Sequence, residues 1–210
     1  MNAFFEGMVI SGSLIIAIGA QNAFLLKQAL RRQYVFWACT VCFLCDVSLF
    51  SLSVLGLARV LEASRTLNIG LSLAGGCFLS YYGWRCARSA WRGGGQLVIG
   101  HGDGRPQTLG RVLLLTLAVS LLNPHAYLDA VVLIGGYSAK FTGPARTAFL
   151  MGSILSSALW FYGLGFFGQK LSPYFQKEKT WRLLDGGIAL FMWVLAVLIF
   201  RYALRLAGGG

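Results

Sequence analysis

The sequence predicts an all-α integral membrane protein. It reads as six transmembrane helices, arranged as two inverted three-helix repeats with broken first and fourth helices. Three observations predict this. First, 57% of the 210 residues are hydrophobic and 12% are charged, about half the charge usual in a soluble domain. Mean hydropathy is +0.67. Second, nearly uncharged stretches of membrane-spanning length recur along the chain. Third, the two halves echo each other. Disordered, collagenous and disulfide-scaffold chains are excluded by the same composition.

The segments follow from the gaps between charges. Glu6 to Lys27 encloses 20 residues, Arg32 to Arg59 encloses 26, and Arg65 to Arg85 encloses 19. Arg111 to Lys140 encloses 28, Arg146 to Lys170 encloses 23, and Arg182 to Arg201 encloses 18. A helix needs about 20 apolar residues to cross about 30 Å of hydrocarbon. Only Asp46, Asp129 and Asp185 interrupt the second, fourth and sixth stretches. Segment one carries Glu6 in place of a basic leader and runs into Lys27, Arg31 and Arg32. It is expected to be a span and not a cleaved signal peptide.

The expected organisation is one transporter domain over residues 1–207. Repeat one covers 1–92, a loop 93–108, and repeat two 109–207. Gly208-Gly209-Gly210 is expected to be an appended remnant. Loops one, three and five hold twelve Lys and Arg against six on the other side, so those loops are expected in the cytoplasm and both termini outside. The net charge of +11 sits at span ends, where it meets anionic lipid. Nucleic acid is not expected as a partner.

The repeat rests on three ordered matches. Gln21-Asn22-Ala23-Phe24-Leu25 faces Pro124-His125-Ala126-Tyr127-Leu128, Leu55-Gly56-Leu57 faces Leu164-Gly165-Phe166, and Ala74-Gly75-Gly76 faces Asp185-Gly186-Gly187. Three spans per half invert the second copy. Inverted repeats mark many secondary transporters, whose sites lie between the halves.

Two carboxylates fall deep in the predicted spans. Asp46 lies about 18 Å along its helix from Tyr34, and Asp129 about 16 Å from Lys140, at 1.5 Å per residue. A charged carboxylate at that depth costs at least about 2.5–3.5 kcal/mol, and such groups mark ion or substrate paths. Asp185, near a span end and three residues after Arg182, reads as a surface pair or cap. Gly19-Ala20-Gln21-Asn22 and Asn123-Pro124-His125 are the predicted helix breaks, at Gly19 and Pro124. Pro124 removes a backbone donor. The amides of Gln21, Asn22 and Asn123 can bind freed backbone groups or a ligand. His125 titrates near neutrality and is a candidate proton carrier.

Other signals are set aside. Cys39, Cys42 and Cys45 lack a fourth zinc ligand and read as small packing residues. No metal or cofactor is expected. Gly163-x-Gly165-x-x-Gly168 follows no strand and is expected to serve close helix packing, with Gly152 and Ser156 at small-xxx-small spacing. Gly100-x-Gly102-Asp103 echoes intramembrane aspartyl proteases, which keeps one enzymatic alternative through an Asp46/Asp129 dyad.

The strings Gly19-Ala20-Gln21-Asn22-Ala23-Phe24, Lys27-Gln28, Arg31-Arg32, Cys45-Asp46-Val47, Asn123-Pro124-His125-Ala126-Tyr127-Leu128-Asp129 and Trp160-Phe161 resemble the LysE-type basic amino acid exporters, over about residues 4–205. Many members have Pro where this chain has Ala20, so a softer first break is expected. The resemblance implies a bacterial inner-membrane exporter of arginine or lysine, driven by the proton motive force, and not an enzyme. For such a cationic substrate, Asp46 and Asp129 are two carboxylates at the right depth to hold the side chain, and with His125 they are the proton-coupling candidates. Gln21, Asn22 and Asn123, or exposed backbone N–H groups at half-helix starts, would serve the substrate carboxylate, and Tyr127 either stacks on a guanidinium or sits in the core. Export of a neutral amino acid or other small metabolite is the alternative. Small-residue faces permit a homodimer.

Overall fold

The computed structural model describes residues 2–16, 19–56, 65–92, 108–122, 130–175 and 178–208. The described residues are helical throughout, with short turns between. Segment one is two helices, α1 (Ala3–Ile16) and α2 (Ala20–Leu30), bent by 77°. The break is sharp even though Ala20 stands in place of proline: Gly19 takes an extended conformation (φ −113°, ψ 171°) as the N-cap of α2. Segment two is α3 (Val35–Val54) and segment three α4 (Arg65–Arg92). Segment four opens as α5 (Leu109–Leu121). A π-helical turn (Ala130–Gly135) then leads into the three-residue α6 (Gly136–Ser138). Segments five and six are α7 (Gly143–Leu171) and α8 (Glu178–Gly208).

Length and hydropathy qualify three helices as spans on their own: Val35–Val54, the stretch Gly143–Tyr174, and Lys179–Gly208. The bent α1/α2 pair passes together as a fourth. The protein is therefore an all-helical, multi-pass membrane protein. α4 has 28 residues, but Gly70, Ser72, Gly75, Gly76 and Ser80 dilute its apolar character. α5, with 13 residues, covers about 20 Å at 1.5 Å per residue, less than a bilayer core. The expected break at Pro124 lies outside the described residues. Gly208 closes α8, so the helix reaches one residue into the glycine run.

Lipid offers no hydrophobic drive between helices, so association depends on close packing of small residues. α1 and α7 show this most strongly. A Cβ added at Gly7 would fall 2.0 Å from the Phe149 carbonyl oxygen, and one at Gly152 would fall 1.9 Å from that of Phe4. Gly12 meets Ser156 further along, so the two helices run parallel. Gly165 packs on Cys39 and Val35, and Gly168 on Ala29, as expected, whereas Gly163 has open space where a Cβ would stand. α3 crosses α7 in the opposite direction, with Val35 and Cys39 near Gly165 and Asp46 near Ser157. α4 and α8 form a second, antiparallel unit. Gly76 meets Phe200, Gly83 meets Trp193, and the Ala90 carbonyl accepts a bond from Arg182 Nε at 2.8 Å.

α2 joins the two units. Seven of its eleven residues are buried. Leu25 and Ala29 pack with Cys39, Cys42, Val112 and Phe161 of α3, α5 and α7. Ala20 and Phe24 pack with Leu79, Tyr82, Val119 and Met192 of α4, α5 and α8. A tight turn carries α2 into α3. Arg32 and Tyr34 take left-handed conformations (φ 54° and 51°), and the Arg32 guanidinium fixes the turn by donating to the Gln169 carbonyl at 2.9 Å.

A candidate substrate site at the break of the first segment

Asp46 sits at the twelfth position of the 20-residue α3, half-buried against α7. Its Oδ2 accepts a hydrogen bond from Ser157 Oγ at 2.9 Å. Among the described residues no Lys or Arg pairs with it. One turn earlier, Cys42 lies beside Gln21 of α2 and Ser120 of α5. Gln21 Nε2 is buried without a hydrogen-bond partner among the described residues, as is Ser11 Oγ on α1. The break of segment one, the middle of α3, the end of α5 and the serines of α7 thus meet at one depth.

Asn22 spans the break. Its Nδ2 donates to the Ile15 carbonyl at 2.7 Å, and its Oδ1 accepts from Trp160 Nε1 at 3.2 Å. The Ile15 oxygen is one of the carbonyls freed where α1 ends, so the amide does what a capping group does. Asn22 therefore shapes the site and locks α2 to α7. Gln21, by contrast, lies against Cys42 with its Nε2 otherwise unpartnered among the described residues. Asp129, Asn123, Tyr127, His125 and Pro124 lie outside the described residues.

Two readings are corrected. Asp185 is neither a surface pair nor a cap: it is fully buried and pairs with Lys27 Nζ at 2.5 Å. Arg182, its expected partner, reaches the Ala90 carbonyl. Lys27, counted above among the loop charges, is 6% exposed and lies within α2. It also donates to Cys86 Sγ at 3.3 Å and stands 5.9 Å from the Tyr82 ring centroid. Lys27 served as the boundary of a predicted segment and so fell outside it, whereas Asp185 lay inside its stretch but was paired with the charge nearest in sequence, Arg182. A signal was present nonetheless. The repeat aligns Asp185 with Ala74, inside a span.

The three cysteines of α3 are free, with Cys39 and Cys42 buried; Cys39 Sγ donates to the Phe161 carbonyl at 3.3 Å. Among the described residues no group of three His, Cys, Asp or Glu is placed to hold a metal. The glycines paired by the repeat differ in role. Gly56 (φ +79°) follows the end of α3, whereas Gly165 packs inside α7.

Comparison with known proteins assigns the family. Residues 12–203 match the LysE type translocator. The chain belongs to the LysE family. It is 39% identical over 204 residues to a protein of Aeromonas salmonicida provisionally named amino-acid transporter YggA, covering 95% of this chain and 96% of that one. It is 30% identical over 199 residues to the arginine exporter protein ArgO of Pectobacterium carotovorum, covering 95% and 97%. It is 30% identical over 194 residues to ArgO of Serratia proteamaculans, covering 92% and 94%. No solved structure matches. The protein is thus a LysE-type amino-acid transporter, a multi-pass protein of the bacterial inner membrane, and not an enzyme.

Proposed function

We propose that the protein exports arginine, lysine or both from the cytoplasm, coupled to the proton motive force. The observation that carries this is Asp46, a mid-span carboxylate held by one hydroxyl and paired with no cation among the described residues. A carboxylate at that depth is costly unless it is neutralised. A guanidinium or ammonium side chain neutralises it through charge-assisted hydrogen bonds. A proton does the same once the substrate has gone, so one group exchanges the two cations. Gln21 Nε2 and the positive end of α2 face the substrate's α-carboxylate. Asp129, Asn123 and Tyr127 complete the site from segment four, with His125 as a second proton carrier. The relatives named arginine exporters support the substrate class.

The architecture belongs to the same proposal. Six spans form two inverted repeats, 1–92 and 109–207. The helix partners support it: segment one packs on five, and segment four on two. A two-fold axis that exchanges one with four and two with five interconverts these contacts. Segment pairs two–five and three–six map onto themselves.

The test is efflux from proteoliposomes loaded with labelled arginine, lysine or leucine, with and without an imposed proton gradient. Gradient-dependent release of arginine or lysine, lost in Asp46→Asn, is the expected result. Release of leucine alone would replace the basic substrate with a neutral one.

A further inference from the structure

The buried Lys27–Asp185 pair is unexplained by the site around Asp46. Removing two charges from water is unfavourable, and a buried pair is often no more stable than an apolar pair of the same size. Stability alone does not account for it. The surroundings are those of a cation site. An ammonium group meets a carboxylate at 2.5 Å, a thiol at 3.3 Å and an aromatic face at 5.9 Å. Asp185 makes no other polar contact among the described residues. Its Oδ1 is directed at one alkylammonium group, and its Oδ2 is buried with no hydrogen-bond partner among the described residues.

The position adds to this. Lys27 is on α2, Asp185 on α8, and Tyr82 and Cys86 on α4, so the pair fastens the α4/α8 unit to the helix shared with the Asp46 site. Arg31 stacks over Trp181, one turn before Asp185, with its guanidinium carbon 5.5 Å from the ring centroid. The pair lies toward the end of α2 and the start of α8, beside loops one and five, the side that the charge distribution assigns to the cytoplasm. An exporter collects its substrate there.

We infer that Asp185 is a cytoplasmic entry subsite for the cationic side chain of the substrate, and that Lys27 is a tethered occupant which fills it in the closed state. An incoming lysine or arginine replaces Lys27 at the carboxylate. The substitution releases α2 from α8 and opens the way to Asp46. The inference rests on the basic-substrate reading above.

The test compares wild type, Lys27→Met and Lys27→Met/Asp185→Asn in proteoliposomes, measuring KM and maximal rate of arginine and lysine efflux per folded protein. The double variant leaves no unpaired buried charge, so it is expected to fold. The subsite predicts that the double variant raises KM about tenfold, one recognition contact at ~1.4 kcal/mol. Lys27→Met, which keeps the carboxylate and loses the competitor, is predicted at or below the wild-type KM. A purely structural pair gives the reverse order, with the double variant at wild-type KM and Lys27→Met impaired. That order would overturn the inference and leave the exporter standing. A wild-type protein that moves neither arginine nor lysine would overturn both.

Discussion

Asp46 and Asp185 are both acids inside apolar helices, yet they are held in opposite ways. Asp46 is half-buried and bonded to one serine hydroxyl. Asp185 is fully buried and bonded to a lysine carried by the chain itself. The first carries no cation among the described residues, while the second already carries one on its Oδ1. Depth in the membrane therefore does not reveal what a carboxylate does; its partner does. Substitution at Asp46 should act on transport with little effect on folding. Breaking one half of the Lys27–Asp185 pair should act on folding first.

The largest separation is expected between Asp46→Asn and Asp185→Asn. Asp46→Asn should lower arginine and lysine efflux by about two orders of magnitude, the upper range for a hydrogen bond to a charged group, with the thermal midpoint of the purified protein unchanged. Asp185→Asn leaves Lys27 buried and alone, which should cost about 3–5 kcal/mol of stability, read as a lowered midpoint. Equal midpoints for the two variants would break the comparison. Next comes Gly152→Val. Its side chain has no space beside the Phe4 carbonyl, where even a Cβ falls at 1.9 Å. Overpacking of about 1–3 kcal/mol should lower the midpoint without changing the KM of the fraction that remains folded. Ser157→Ala removes the one hydroxyl on Asp46. At roughly 1.5–3 kcal/mol for a charged hydrogen bond within the fold, its loss should lower the midpoint as well as change KM. The smallest effect is expected at Lys140→Gln. Lys140 is paired with Glu6 at 2.6 Å, its side chain 47% exposed, and the Glu6 carboxylate raises its pKa above the ordinary lysine value. A raised lysine pKa contributes stability fully below the unfolded value and loses it as pH rises through the folded one. The difference in midpoint between wild type and Lys140→Gln is therefore expected to stay constant between pH 6 and 8.

How far the sequence was legible follows the same division. Helical class and the apolar spans were readable because lipid imposes a length and a composition on any crossing segment. The first break was readable from Gly19 and the amides after it. The candidate site's middle was chosen from Asp46, an acid with no nearby charge in sequence. Ser157 was not, since a serine on a small-residue face looks the same whether it packs or bonds. Asn22 was assigned to the substrate, but its two polar ends are taken by Ile15 and Trp160, a use that depends on where α1 ends in space. Lys27 and Asp185 were misplaced because 158 positions separate partners that fold together, and no local pattern records such a pairing.

The brevity of α5 bears on how the molecule is made. Thirteen residues fall short of the roughly 20 that let a segment leave the translocon for lipid unaided. Its polar hydroxyls, Thr116 and Ser120, are bonded back to their own helix, to the Val112 and Thr116 carbonyls, which lowers the penalty of insertion without removing it. α2 and α3, which pack against α5, have been synthesised by the time it emerges. They provide a protein surface in place of lipid along the faces of α5 that they cover.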